Sequence, residues 1–254
     1  MSKKDDFFVG WAAKPPVLDR RFFIGSGIVG LAAAGGLASV LASRQDAVGP
    51  GTWDQGTILT WRGKITSDPY PMLRTRDTDG TIKTALLGCM GKCAVRPRID
   101  AMGTQTVEVQ GSAIRRGAHL MIATQDDGSW ISQAEADEPG DLDLAFPAAK
   151  RFGTIDLKGM IVDSKCWFGA MRPGEGKVHK ACAALCIRGG LPPAFLVRSM
   201  RGEEELLIIT DEDGGPVRDD ILPYVADPLR LVGEAHKLGE MFFVRTGISA
   251  MTRL

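Results

Sequence analysis

The residues best suited to chemistry in this sequence are five cysteines, which fall into two groups. One group is Cys89-Met-Gly-Lys-Cys93, and the other comprises Cys166, Cys182 and Cys186 with His179 close by. Thiolates and imidazoles bind zinc and copper(I), whereas cysteines of exported domains commonly form disulfide bonds. The second group therefore has two interpretations, a metal site or a disulfide.

The spacing of the second group predicts that its members share one face of a helix. Residues 178–190 read as a short helix that ends at glycine. At about 100° per residue, His179, Cys182 and Cys186 lie on the same side of it. Cysteines four residues apart on a helix hold their Cβ atoms roughly 5–6 Å apart, which is too far for a disulfide. Each therefore needs another partner, and Cys166 is the remaining cysteine of this half.

Both interpretations use Cys166. In the first, it forms a disulfide with Cys182 or Cys186 and leaves one thiol, as an oxidising compartment favours. In the second, Cys166, His179, Cys182 and Cys186 form a Cys₃His site for zinc or copper(I). The glycine-flanked pair in the first half has no histidine nearby, so we expect a local disulfide between Cys89 and Cys93.

The loop between Cys166 and His179 is a candidate docking surface. Trp167 and Phe168 lie on a glycine-rich segment that also carries Arg172 and Lys177. If the aromatic side chains are exposed, this loop could bind a partner protein. The alternative is that both rings cover the mouth of a barrel.

Two related halves position these residues. Residues 107–124 align with 229–246, with glycines at the same spacing, and the sequences around Gly63 and Gly159 also match. Alternating apolar and polar residues predict short half-buried strands. The pattern resembles tandem OB-folds, although no specific family is matched. We therefore predict a mainly β protein with two duplicated OB-like barrels, each with a short helix, after one N-terminal transmembrane helix.

The N-terminal segment predicts membrane anchoring. Residues 22–42 carry no charge and just span a hydrocarbon core, and the preceding lysines and arginines place the N-terminus in the cytoplasm. The junction Asp19-Arg20-Arg21-Phe22-Phe23-Ile24 resembles the twin-arginine signal-anchor of Rieske iron–sulfur subunits. This resemblance implies export of a folded protein from the bacterial inner membrane into the periplasm. An ordinary signal-anchor, in which the arginines only set topology, is the alternative.

The predicted organisation has six parts. They are a cytoplasmic segment (1–21), a transmembrane signal-anchor (22–43), a linker (44–55), a first OB-like domain (56–128), an acidic connector (129–150) and a second OB-like domain with the Cys/His cluster (151–254). Small residues repeat every four positions in the anchor and predict contact with the helices of other membrane subunits. These are Ser26, Gly30, Ala34 and Ala38.

Composition excludes several functions. Acidic and basic residues balance at 31 each and form no basic run, which disfavours nucleic acid as a partner. Only three histidines are present, and no c-type haem, Rieske, Walker A or Rossmann motif occurs. Without a catalytic constellation, we expect a non-catalytic accessory subunit of a respiratory or other electron-transfer complex. The alternative is a copper- or zinc-binding electron carrier or metal-handling protein.

Overall fold

A computed structural model describes residues 17–44, 51–103, 105–125, 128–136, 138–199, 203–217 and 219–254. The chain divides into two compact units, 1–48 and 49–254. In the first unit, helix α1 covers Val17–Arg44. Within the described part of the chain, no helix combines the length and the hydropathy needed to cross a membrane. The transmembrane helix predicted over 22–43 is therefore not found among the described residues.

The second unit is mainly β and contains two barrel-like sheets. Its strands are β1 (Thr52–Trp53), β2 (Leu59–Thr66), β3 (Met72–Arg76), β4 (Ile82–Cys89), β5 (Thr106–Arg116), β6 (His119–Thr124), β7 (Ile131–Gln133), β8 (Lys150–Asp163), β9 (Pro193–Arg198), β10 (Glu204–Thr210), β11 (Pro228–Leu238), β12 (Met241–Arg245) and β13 (Met251–Arg253). Its α-helices are α2 (Arg96–Asp100) and α3 (Lys180–Arg188). Short 3₁₀ turns cover Pro139–Leu144, Lys177–His179, Asp219–Tyr224 and Ile248–Ala250.

The first sheet closes into a five-stranded barrel, here called barrel 1, formed by β2 to β6. Strand β2 pairs with β3 and β5, β3 pairs with β4, and β5 pairs with β6, all antiparallel. Strand β4 then runs parallel to β6 and completes the ring. Helix α2 lies between the third and fourth strands of this barrel. The connectivity is consistent with the predicted OB-like domain.

The second sheet repeats the connectivity as barrel 2, formed by β8 to β12. Strand β8 pairs with β9 and β11, β9 with β10, and β11 with β12, while β10 runs parallel to β12. The two barrels differ in where their helices lie. Helix α3 comes between the first and second strands of barrel 2, and a 3₁₀ turn at Asp219–Tyr224 occupies the position that α2 has in barrel 1.

Glycines occupy matching positions in the two barrels. Gly117 and Gly239 occupy the same hairpin turn, with φ of 55° and 58°, a conformation that favours glycine. At Gly63 and Gly159, a Cβ would lie 2.1 Å and 2.2 Å from a carbonyl oxygen of the neighbouring strand. Both sites therefore require glycine because the strands approach closely where each barrel curves.

Part of the expected connector at 129–150 belongs to barrel 1. Strand β7 extends the sheet by pairing with β5, and Trp130 and Ile131 are buried in the core of this barrel. The buried carboxylate of Asp141 accepts two hydrogen bonds from the Arg62 guanidinium. The acidic composition suggested an exposed linker, but these two apolar side chains and one ion pair fix it to the barrel.

The barrels pack directly against each other through an apolar core. Met72, Leu86 and Met121 from barrel 1 contact the same cluster as Phe168 and Phe243 from the second half. Tyr70 of barrel 1 donates a hydrogen bond to the carbonyl of Ile209 in barrel 2, at 2.8 Å. Residues 49–254 therefore form one packed unit, and the candidate site lies where the halves meet.

Candidate metal centre

Strand β8 and helix α3 supply the second cysteine group. At the end of β8, the Oδ1 atom of Asp163 accepts a hydrogen bond from the amide of Cys166, at 2.8 Å, and this bond fixes the turn that follows. A π-helical turn covers Cys166–Ala170, and α3 begins directly after the 3₁₀ turn that ends at His179. The predicted short helix is therefore present, and it ends before two glycines as expected.

The four predicted ligands lie in two overlapping groups of three, and the second group adds a carboxylate. Ligand atoms of Cys166, His179 and Cys182 lie within 4.8 Å of one another, and so do those of Asp163, Cys166 and Cys186. Cys166 belongs to both groups, so the five side chains form one cluster. All are buried except Cys182, which is half-buried. The three cysteines are free thiols, so the predicted bond from Cys166 to Cys182 or Cys186 is not formed in this structure.

Two polar atoms in this cluster lack hydrogen bonds. The Oδ2 atom of Asp163 and the Nε2 atom of His179 lie 3.3 Å apart, a distance compatible with an ion pair. Neither atom makes a hydrogen bond of acceptable geometry within the described residues, although both side chains are almost fully buried. Buried polar atoms normally form hydrogen bonds. These two atoms therefore indicate that a further binding partner or a charge would stabilise the site.

A lysine from barrel 1 contacts the thiols of barrel 2. The Nζ atom of Lys92 lies 2.7 Å from the Sγ atom of Cys182 and 3.6 Å from that of Cys186. The contact with Cys182 raises the pKa of the Lys92 ammonium. A hydrogen bond from Cys166 and the charge of Lys92 lower the pKa of Cys186 against its burial, and the same bond raises the pKa of Cys166. Within this pair of thiols the arrangement therefore favours a thiolate at Cys186 and a protonated thiol at Cys166.

Contacts within barrel 1 and from barrel 2 fix the loop that carries Lys92. The predicted Cys89–Cys93 disulfide is confirmed and closes this loop. From barrel 2, the buried Lys165 ammonium donates hydrogen bonds to three successive carbonyl groups of the loop, starting at Cys89. Beyond the loop, the amide of Ala94 donates to the carbonyl of Gly189, at 2.8 Å. Both cysteine groups thus meet at one interface between the barrels.

The predicted docking surface is wrong at its two aromatic residues. Trp167 and Phe168 are 3% and 0% exposed and belong to the core between the barrels, so they cannot form an exposed surface. Apolar side chains of barrel 1 pack against these rings. The sequence of the loop alone does not predict this contact. Arg172 donates a hydrogen bond to the carbonyl of Gly51, and Lys177 is exposed in a 3₁₀ turn.

The sequence did not identify Asp163 and Lys92 as residues of this site, and it placed Lys165 beside an exposed docking loop, whereas Lys165 is buried. Asp163 precedes Cys166 by three positions, a spacing that suits a side chain capping the next turn. Lys92 lies inside the Cys89–Cys93 loop, but its contact with the second group depends on how the barrels pack. That packing has no local signal in the sequence.

The two other histidines lie outside the cluster, in or beside strands as predicted. His119 stacks on Phe168 with ring centroids 5.2 Å apart, and burial lowers its pKa to about 4, with a smaller contribution from Arg116. His236 stacks on Phe243 at 5.3 Å. Both rings contribute to packing.

Comparison of the chain with protein family models and with curated proteins finds no match. The functional argument therefore depends on the site itself.

Proposed function

We propose that this protein binds one zinc ion through Cys166, His179, Cys182 and Cys186. The observation that carries the proposal is that the three thiols and the imidazole lie in two overlapping, largely buried groups that share Cys166. Cys₃His is a common ligand set of tetrahedral zinc. Four protein ligands fill the tetrahedron and leave no open position, which is typical of a structural rather than a catalytic metal site.

Asp163 supports this assignment as a residue that orients the histidine. Histidines that bind metal usually place their second ring nitrogen against a carboxylate, which fixes the ring. The contact between Asp163 and His179 has this form, and metal bound at the other nitrogen would complete it. Asp163 is itself held by the amide of Cys166, so one carboxylate orients two ligands.

Charge balance favours zinc over copper(I). Three thiolates and the buried Asp163 carboxylate carry four negative charges, of which a divalent ion and the Lys92 ammonium offset three. A monovalent copper ion would offset one fewer and leave more uncompensated charge at a buried site, which is costly. Bound zinc would join the turn after β8 to α3, and the Lys92 ammonium would link the zinc-bound thiolates to the disulfide loop of barrel 1.

The test is metal analysis of the full-length protein purified under reducing, metal-replete conditions. We expect about one zinc per chain, and we expect a strong chelator to remove it, expose three additional thiols and lower the melting temperature. Lys92→Met keeps the aliphatic stem and removes the charge. Because hydrogen bonds to charged groups contribute about 1.5–3 kcal/mol, zinc affinity should fall by about tenfold or more.

His179→Ala should abolish stoichiometric zinc binding, and His236→Gln is its matched control because that histidine lies outside the cluster. The proposal would be wrong if the wild-type protein bound no zinc and mass spectrometry found Cys166 bonded to Cys182 or Cys186. One copper(I) ion in place of zinc would contradict the charge argument.

Three inferences stay predictions. They are the accessory-subunit function, the periplasmic location and the contacts of the anchor with other subunits through Ser26, Gly30, Ala34 and Ala38. No observation on the described residues tests them.

A further inference from the structure

A second site lies at the far end of barrel 2, where β8, β11 and β12 come together. A cleft of about 210 Å³ opens there, and its polar lining comes from Arg151, Glu234, His236 and Arg245. This volume is below the roughly 300 Å³ at which sites for larger organic ligands begin. The cleft therefore suits a small ligand.

A β-bulge places two of these side chains on the same face. The register of β8 against β11 shifts between Ala235 and His236, so that Arg151 pairs directly with His236. Gly153, next to the extra residue, has φ of 90°, a conformation that side chains rarely adopt. Bulges of this kind redirect side chains and are frequent beside binding sites.

Among the described residues, the arginines of this cleft form no ion pair with a carboxylate. Within the described residues, neither Arg151 nor Arg245 forms an ion pair, and the buried Nε atom of Arg245 has no hydrogen bond. On the same barrel, Arg230 contacts the carboxylate of Asp156 at 2.6 Å. Two guanidinium groups, on the two strands that flank β11, are thus available to an anion.

His236 completes the cationic side of the cleft. Its ring is fixed by stacking on Phe243, with an angle of 17° between the planes. Burial lowers its pKa, and the charges of Arg245 and Arg151 lower it further, while the carbonyl and the carboxylate of Glu234 oppose this effect. An anion held by the two arginines would offset their charge and favour the protonated ring.

We propose that this cleft binds a tetrahedral oxyanion of the sulfate or phosphate class. Two planar guanidinium groups and one imidazole approach from three strands, which matches the several acceptor oxygens of such an anion. Glu234 is exposed at the cleft, and the two arginines outnumber it, so the site is positive overall.

Sulfate is the best probe, because it does not titrate near neutral pH. We expect calorimetry at constant ionic strength, with chloride as the balancing anion, to detect one sulfate per chain. Binding should be at least threefold tighter at pH 5.5 than at pH 7.5, and His236→Gln should remove most of this difference. Arg245→Gln should weaken binding by about tenfold, as expected for loss of a hydrogen bond to a charged group.

Arg230→Gln is the matched control, since that arginine lies on β11 and already pairs with Asp156. Equal sulfate affinity for Arg245→Gln and the wild type would overturn the proposal. Inorganic phosphate should compete with sulfate. If anionic phospholipid vesicles bound the protein while free sulfate and phosphate did not, the cleft would not be a small-anion site.

Discussion

At the scale of single residues, the position of a charge decides what the cysteines can do. Lys165 is buried and donates hydrogen bonds to three backbone carbonyls, so it fixes the loop of barrel 1. Lys92 lies in that loop and contacts two sulfurs. The same residue type thus holds the loop in one case and supplies charge to the cluster in the other. Only the second role bears on metal affinity.

His119 gives a pH-dependent prediction. In the folded protein its pKa is about 4, against 6.5 for an ordinary histidine, because the ring is buried beside Phe168. Below pH 6.5 the unfolded chain takes up a proton that the folded chain does not, so this stability is present above pH 6.5 and is lost as the pH falls toward 4. Between pH 7 and pH 5 the loss should be about 2 kcal/mol.

His119→Phe keeps an aromatic ring in this stack and removes the titrating group. Urea unfolding of both proteins at pH 7 and pH 5 isolates the contribution of His119, since all other groups titrate alike. The variant should lose about 2 kcal/mol less than the wild type over this range. Equal losses would show that His119 titrates normally in the folded state.

At the scale of elements, the C-terminal end of α3 packs closely against the disulfide loop. A Cβ on Gly189 would lie 1.8 Å from the carbonyl oxygen of Lys92, so Gly189→Ala must displace one of these segments. The φ of Gly189 is −72°, which any residue adopts, so the cost arises from the contact alone. We expect a loss of about 1–3 kcal/mol in the free energy of unfolding, measured with urea.

Gly56→Ala is the control for this substitution, because the nearest atom to its added Cβ is 3.9 Å away. This variant should stay within about 0.5 kcal/mol of the wild type. If Gly189→Ala were equally harmless, α3 and the loop would not be in firm contact. Loss of zinc together with stability in Gly189→Ala would link this contact to the metal site.

Most elements of the barrels could be predicted from local patterns. The hairpin glycines Gly117 and Gly239, the short helix before Gly189 and the Cys89–Cys93 disulfide depend on neighbours in sequence, and all are present. Strand β7 was not predicted, because its three residues lie in an acidic segment and are too few to show an alternation of apolar and polar side chains. Asp163 was missed as well, because its role depends on a histidine sixteen positions later in the chain.

At the scale of the whole molecule, the contact between the barrels could not be predicted from the sequence. Trp167 and Phe168 are predicted equally well as a docking surface or as a covered core, because a loop sequence does not reveal what packs against it. The interface here joins strand faces of both barrels with this loop. It also brings the two cysteine groups together, so the contact of Lys92 with the candidate site depends on the packing of the barrels.

This shared core predicts that the barrels unfold together. Phe168 is fully buried and contacts His119 of barrel 1, so Phe168→Ala should lower the free energy of unfolding by about 3–5 kcal/mol. Hydrogen exchange should show the slowest amides of β2 and β8 losing the same protection, because each barrel depends on the common core. Phe152→Ala is the control, since its ring is 51% exposed and should cost about 1 kcal/mol or less. Loss of protection in β8 alone would mean that barrel 1 is stable by itself and that the interface is a contact between independent domains.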